Sequence, residues 1–228
     1  MTTAEKRVLS VNVGTPRAFE FNGRNVKSAI WKSPVVGRVA ARGVNLEGDD
    51  QADRKAHGGP DKAIYAYAVE DLRWWERELG RSLQHGQFGE NLTTEGIDVN
   101  EALVGERWKV GSTLLEVSEP RVPCWRLGVR MDDTRFVRRF TDALRPGAYL
   151  RILVEGFVGA ADEIRVVERP DHGVSIRDVF RIYSRDRQEA ERLLVVPGMS
   201  ASWKAWANRV LRRGSSGGAS RAPDPGCC

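Results

Sequence analysis

The feature that most constrains this chain is how often its apolar runs are interrupted. Between about residues 7 and 169, glycines and prolines cut them after only a few positions, which suits short strands and leaves little room for long helices. Val8-Leu-Ser-Val-Asn-Val13 and Gly37-Arg-Val-Ala-Ala-Arg-Gly-Val44 are apolar or alternating. Glu106-Arg-Trp-Lys-Val110 and Thr113-Leu-Leu-Glu-Val-Ser118 flank Gly111-Ser112, which suits a tight hairpin turn. Tyr149 to Val154 and Glu163 to Glu168 predict two further strands, with residues 156–161 as their connection. Many short strands joined by glycine-rich turns favour a barrel or closed sheet over a layered parallel sheet. The expected fold is therefore mainly β, a β-barrel with a few helices.

One helix interrupts this pattern. Val69, Leu72, Trp75 and Leu79 recur about one turn apart, with Glu70 and Asp71 in the first turn and Gly80 just past the end. It is expected to lie across the barrel as a lid. After Pro170 the period changes and three short helices are predicted. Ser175 caps Ile176, Val179, Phe180 and Tyr183; Asp186 caps Ala190, Leu193 and Leu194; Ser200 opens a stripe of Trp203, Trp206, Ala207, Val210 and Leu211. The implied organisation is a flexible N-terminus over 1–6, a barrel domain over 7–170, a three-helix extension over 171–212 and a disordered tail over 213–228.

A hydrophobic share of 41% over 228 residues is enough to build a core without staples. No apolar run approaches a bilayer-spanning length, and the N-terminus lacks a signal-peptide pattern, so a soluble, cytoplasmic protein is the expectation. A net charge of +5 favours anionic partners, but the basic residues are dispersed among acidic ones with no long basic run, which argues against a nucleic-acid surface. Of the three cysteines, Cys227 and Cys228 end the tail, leaving Cys124 as the one in the folding region. It can be an inert buried thiol, a nucleophile or a metal ligand. The terminal Cys-Cys pair matches a lipidation signal, with nothing else in support.

Two segments carry possible chemistry. Asp53-Arg-Lys-Ala-His57-Gly58-Gly59-Pro60-Asp61-Lys62 sets adjacent glycines among charges before the strand-like Ala63-Ile-Tyr-Ala-Tyr67. Glycine N–H groups can form an anion-binding nest, and Arg54, Lys55 and Lys62 can neutralise a phosphate. The same composition also describes a solvated turn with His57 at the surface. In Ser118-Glu-Pro-Arg121-Val-Pro123-Cys124-Trp125-Arg126-Leu127, two prolines stiffen the approach to the thiol. Arg121 and Arg126 bracket it, and positive neighbours favour a thiolate. A papain-like pairing of Cys124 with His57 has no helix-start signature beside the cysteine. A zinc site lacks paired ligand spacing.

Together with Asn45-Leu-Glu-Gly-Asp-Asp-Gln-Ala-Asp53 and Phe88-Gly-Glu-Asn91-Leu-Thr93, these segments resemble the MOSC family, specifically its YiiM-like branch, in the right order over roughly residues 7–212. The resemblance implies a β-barrel binding a molybdenum–pyranopterin dithiolene, with Cys124 as the metal ligand. It also implies reduction of N-hydroxylated compounds such as hydroxylaminopurine-type base analogues. Arg54, His57, Gly58, Gly59, Lys62, Asn91, Arg121 and Arg126 are the expected cofactor-binding residues, and His57 and Asp53 the expected proton carriers beside Cys124. Two positions depart from the branch: Arg126 stands where lysine is expected, and Glu119 where glutamine is expected. The chain has no flavin, haem or iron–sulfur motif of its own, so a reductase would need a separate electron-donor protein. Pyridoxal phosphate binding is not expected, and no oligomeric state follows from the residues. The competing readings are a non-catalytic carrier of the cofactor or its sulfur, and a metal-free cysteine hydrolase or transferase.

Overall fold

The computed structural model describes residues 5–50 and 59–214. In chain order it begins with β1 (Arg7–Val13), β2 (Arg17–Phe21), β3 (Arg24–Ser28), β4 (Ser33–Pro34), β5 (Arg38–Arg42) and β6 (Asn45–Leu46). A 3-10 turn (Pro60–Lys62) then leads into β7 (Ile64–Ala68), α1 (Val69–Leu79) and β8 (Leu92–Glu95). Next come β9 (Arg107–Val110), β10 (Thr113–Pro120), α2 (Trp125–Met131), α3 (Phe136–Ala143) and β11 (Ala148–Val154). The chain continues through β12 (Gly156–Gly159), β13 (Ile164–Glu168), α4 (Ile176–Ser184), a 3-10 segment (Arg187–Leu193) and α5 (Ala201–Gly214).

Eight strands form one sheet in the order β13-β9-β10-β11-β7-β8-β1-β4. All neighbours run antiparallel except β7 and β8, which run parallel because α1 carries the chain between them. The sheet curls until β1 meets the segment entering β13. There Val8 N–H donates to Asp162 O (2.9 Å), Ala161 N–H to Val8 O (2.8 Å) and Ile164 N–H to Lys6 O (2.8 Å). The mainly-β expectation matches, and the hairpin across residues 110–113 forms as the Gly111-Ser112 turn predicts. Residues 156–159 are a correction: they form a strand rather than a plain connection, pairing with β5 in a second sheet, β12-β5-β6.

The main core fills the curled sheet with Val11, Ile64, Trp108, Leu115 and Leu150, all buried. Strand β7 is buried on both faces, and its period of two divides it between two cores. Ile64, Ala66 and Ala68 face the main one, whereas Tyr65 and Tyr67 join Leu72, Trp75, Phe88, Phe136 and Phe140 in a second. Helix α1 therefore helps build an aromatic layer with α2 and α3 rather than lying as a lid. Its end follows the expected pattern, with Gly80 left-handed (φ 62°) and its N–H on Glu76 O.

The C-terminal helices share the main core through Val179, Ile182, Leu193, Trp203 and Ala207. Ser175 and Asp178 form a reciprocal capping box at the start of α4. The middle element is a 3-10 segment, not an α-helix, and Asp186 makes no capping bond with its side chain; it pairs with Arg181 instead.

Candidate functional site

A cavity of about 120 Å³ opens beside the aromatic layer. Its walls come from the segment after β3, from Asp49 and Asp50, from the 3-10 turn through Lys62, from the loop before β8 and from Arg121 to Arg126. Segments far apart in sequence meet there because β7, β10 and β11 are neighbours in the sheet and end beside one another.

Cys124 lies on the wall, 9% exposed. Its backbone is extended (φ −121°, ψ 173°), and it is the residue at which α2 starts, with Leu127 N–H on Cys124 O at 2.9 Å. A helix thus begins directly at the cysteine, although the sequence carries no helix-start signature there. No acidic residue in the first turn announces this helix, and the preceding prolines read as extended chain.

Both bracketing arginines line the same cavity. Arg121 is 6% exposed, with its guanidinium carbon 5.6 Å from the Tyr65 ring centroid and 5.4 Å from that of Phe140. Cation–π contact partly replaces water around the charge. Its Nη1 nevertheless has no hydrogen-bond partner among the described residues. The Arg126 guanidinium lies 4.7 Å from the Trp125 ring centroid, and its Nη1 is orphaned in the same way. A buried charged donor without an acceptor is expensive, so this arrangement favours an anionic ligand.

Lys62 also lines the cavity and forms an ion pair with Glu119, Nζ to Oε1 at 3.6 Å. Gly59 precedes the 3-10 turn at φ 98°, a left-handed position that favours glycine, and accepts Lys62 N–H at 3.1 Å. Asn91 is on the wall, but its amide serves the protein. Nδ2 donates to Asp49 Oδ2 (2.9 Å) and Asn12 O (3.2 Å), while Oδ1 accepts Tyr65 N–H (3.0 Å). Asp53, Arg54, His57 and Gly58 lie outside the described residues.

Two neighbours have no role assigned from sequence: Lys32, which lies outside the motifs, and Glu90, which sits within the Phe88–Thr93 run. Lys32, 9% exposed, pairs with both carboxylate oxygens of Asp49, which also accepts Gly14 N–H at 2.8 Å. Burial draws the Lys32 ammonium below the ordinary lysine value, against the opposing pull of Asp49. Glu90 is fully buried and folds its loop back on itself, accepting Gly86 N–H (2.6 Å), Phe88 N–H (2.9 Å) and the Thr93 hydroxyl (3.1 Å). The Phe88-Gly-Glu-Asn91 run was a signal for this loop, although charge pairing at Lys32 had none.

Burial pushes the Glu90 carboxyl up to about 7, against those hydrogen bonds. The unfolded chain would release this proton near pH 4.5. Below that pH both states hold the proton, and between there and 7 the unfolded state loses it first. Glu90 therefore lowers stability as pH rises across this window, by up to about 3 kcal/mol for a shift of this size. Glu90→Gln is expected to flatten that part of the profile in urea titrations at several pH values. Equal slopes in parent and variant would refute the assignment.

Among the described residues, no helix is long and apolar enough to cross a membrane. Nor is there a cluster of three or more His, Cys, Asp and Glu side chains suited to a metal ion. His172 is engaged elsewhere, with Nε2 at 2.8 Å from Val104 O and Nδ1 accepting Val174 N–H.

The MOSC domain family model matches residues 53–165. YflK of Bacillus subtilis, described as uncharacterized, is 34% identical over 201 residues, covering 87% of this chain and 91% of that protein. A protein of Gibberella moniliformis named reductase is 32% identical over 164 residues, 70% of this chain and 29% of its own length. The crystal structure of YiiM from Geobacillus stearothermophilus superposes with a TM-score of 0.75 at 30% identity, covering 90% of this chain and 99% of that one.

Proposed function

This chain belongs to the MOSC domain family, in its YiiM-like branch, and from that premise we propose that it binds a molybdenum cofactor through the Cys124 thiolate and reduces N-hydroxylated compounds. The observation that carries this reading is the pair of cavity-lining guanidinium donors, without partners among the described residues, beside a cavity-lining thiol. MOSC domains are generally associated with molybdenum cofactor binding, and the donor set here suits such a group. A thiolate is a soft ligand for the metal, while Arg121, Arg126 and Lys62 match its anionic oxygens and a pterin phosphate. When bound, the group would supply the two-electron chemistry that cleaves an N–O bond.

The chain's own contribution is placement and charge. The backbone at Cys124 fixes the thiol at the wall, since its carbonyl accepts from α2 whatever the side chain does. Arg121, braced between Tyr65 and Phe140, offers a forked donor from a site where water is largely displaced, which strengthens its pull on an anion. The Asp49, Asn91 and Lys32 network, which also lines the cavity, is tied together by its own hydrogen bonds. His57 and Asp53 are the proposed proton carriers, and a separate protein the proposed electron donor. The fungal relative named reductase supports the reductive direction.

The test is purification from a host that makes the cofactor, followed by elemental analysis and turnover of a hydroxylaminopurine with a chemical reductant. Molybdenum near one atom per chain, together with turnover, is expected. Molybdenum without turnover of any N-hydroxylated substrate would favour a carrier. Its absence despite a competent host would overturn the reading and turn attention to Cys124 as a nucleophile.

A further inference from the structure

The ion pair of Lys62 and Glu119 has a consequence for how the cavity selects its ligand. Glu119 is 2% exposed, and its Oε2 has no hydrogen-bond partner among the described residues. Its other oxygen faces Lys62 Nζ at 3.6 Å. We propose that Glu119 is a positioning residue that competes with incoming oxyanions for the Lys62 ammonium and so tunes the affinity of the cavity for anionic groups. The proposal rests on the reading of this cavity as an anion site and concerns a position where this sequence departs from the glutamine expected by resemblance. Glutamine keeps the shape and a hydrogen bond but removes the competing charge.

The neighbouring charges on the turn and on β10 and β11 have partners of their own. Asp61, on the same turn as Lys62, is held by Arg151 from β11, and Arg151 also binds Glu116 of β10 at 2.7 Å. The single hydroxyl proton of Ser118 of β10 is shared between Asp61 O and, at 2.9 Å, Tyr149 O, which ties the turn to the sheet. Arg151 Nη2 donates to Gly198 O at 2.8 Å, so the C-terminal extension is tied to the same assembly. From the cavity side the charged groups among the described residues are Arg121, Arg126 and Asp50, with Lys32 already paired to Asp49. Burial raises the Glu119 carboxyl above the usual range, while Lys62 and Ser200 pull it down and Asp61 pushes it up. Protonating Glu119 removes its charge from Lys62, so anions should bind better as pH falls.

The experiment is calorimetric titration of the full chain with sulfate, which does not itself titrate between about pH 5 and 9, in the parent, Glu119→Gln, Lys62→Met and the double variant. At pH 8, Glu119→Gln should bind sulfate about tenfold more tightly than the parent, as removal of one competing buried charge implies. Its affinity should vary less with pH, and the gain should vanish in the Lys62→Met background, because a pairwise effect needs both partners. A merely structural role for Glu119 would weaken binding and lower the melting temperature without this coupling. Equal affinity in parent and Glu119→Gln, a gain that persists without Lys62, or no sulfate binding by any variant would each overturn the proposal. Sulfate binding with the expected coupling in protein that carries no molybdenum would uphold it while the proposed cofactor failed.

Discussion

Protein purified as Cys124→Ala from a cofactor-producing host is expected to contain less than about a tenth of the parent's molybdenum and to lose turnover, because the only protein thiolate proposed for the metal is gone. The fold should survive. The cysteine makes no side-chain bond to the start of α2, and the backbone bond from Leu127 to Cys124 O does not involve the thiol. Deleting one small, largely buried sulfur costs about 1 kcal/mol, as a modest core truncation. Elemental analysis and thermal melting of the same preparation check both halves. Full molybdenum content in a folded variant would sink the ligand assignment, whereas an unfolded variant would show that the thiol supports structure.

Trp75→Ala should cause the largest loss of stability among simple truncations, about 3–5 kcal/mol. The indole is 1% exposed, with ring centroids 4.9 Å from Phe136, 6.1 Å from Phe88 and 6.2 Å from Phe140. Its Nε1–H donates to the fully buried Tyr67 hydroxyl at 3.0 Å. Alanine would leave both a cavity and a buried hydroxyl without its donor. Trp75→Phe restores most of the volume but not the N–H, and should cost about half as much or less. Phe88, which lines the cavity, stacks on Tyr67 at 4.8 Å, so the damage should reach the candidate site. Urea unfolding midpoints measure these effects. A Trp75→Ala variant within about 1 kcal/mol of the parent would show that the aromatic layer relaxes freely around the gap.

Local patterns account for the elements that sequence reading identifies. The β9–β10 hairpin follows from alternation and Gly111-Ser112, α1 from an apolar stripe ended by Gly80, and α4 from Ser175 with Asp178 three residues on. Each depends on neighbours in sequence, where backbone preference and side-chain period act directly. The β2–β3 hairpin had a comparable signal that the reading passed over: Asn22-Gly23, at φ 50° and 71°, is a turn pair suited to it. Strand β12 was harder, because Gly156-Phe-Val-Gly159 is too short to show a period and gains its strand character from pairing with β5.

At the site, the residue types around Cys124 were legible, and their states were not. Residue order alone shows that arginines bracket one thiol, that a glycine-rich charged segment precedes β7, and that many short strands must close on a core. Only the folded sheet leaves Arg121 Nη1 and Arg126 Nη1 without partners among the described residues, commits Lys32 to Asp49 and brings Glu119 to Lys62. The reason is physical. Hydrophobic period and turn chemistry are properties of adjacent residues, but the strength of a charge depends on burial and on partners brought from distant strands, which only the folded sheet assembles.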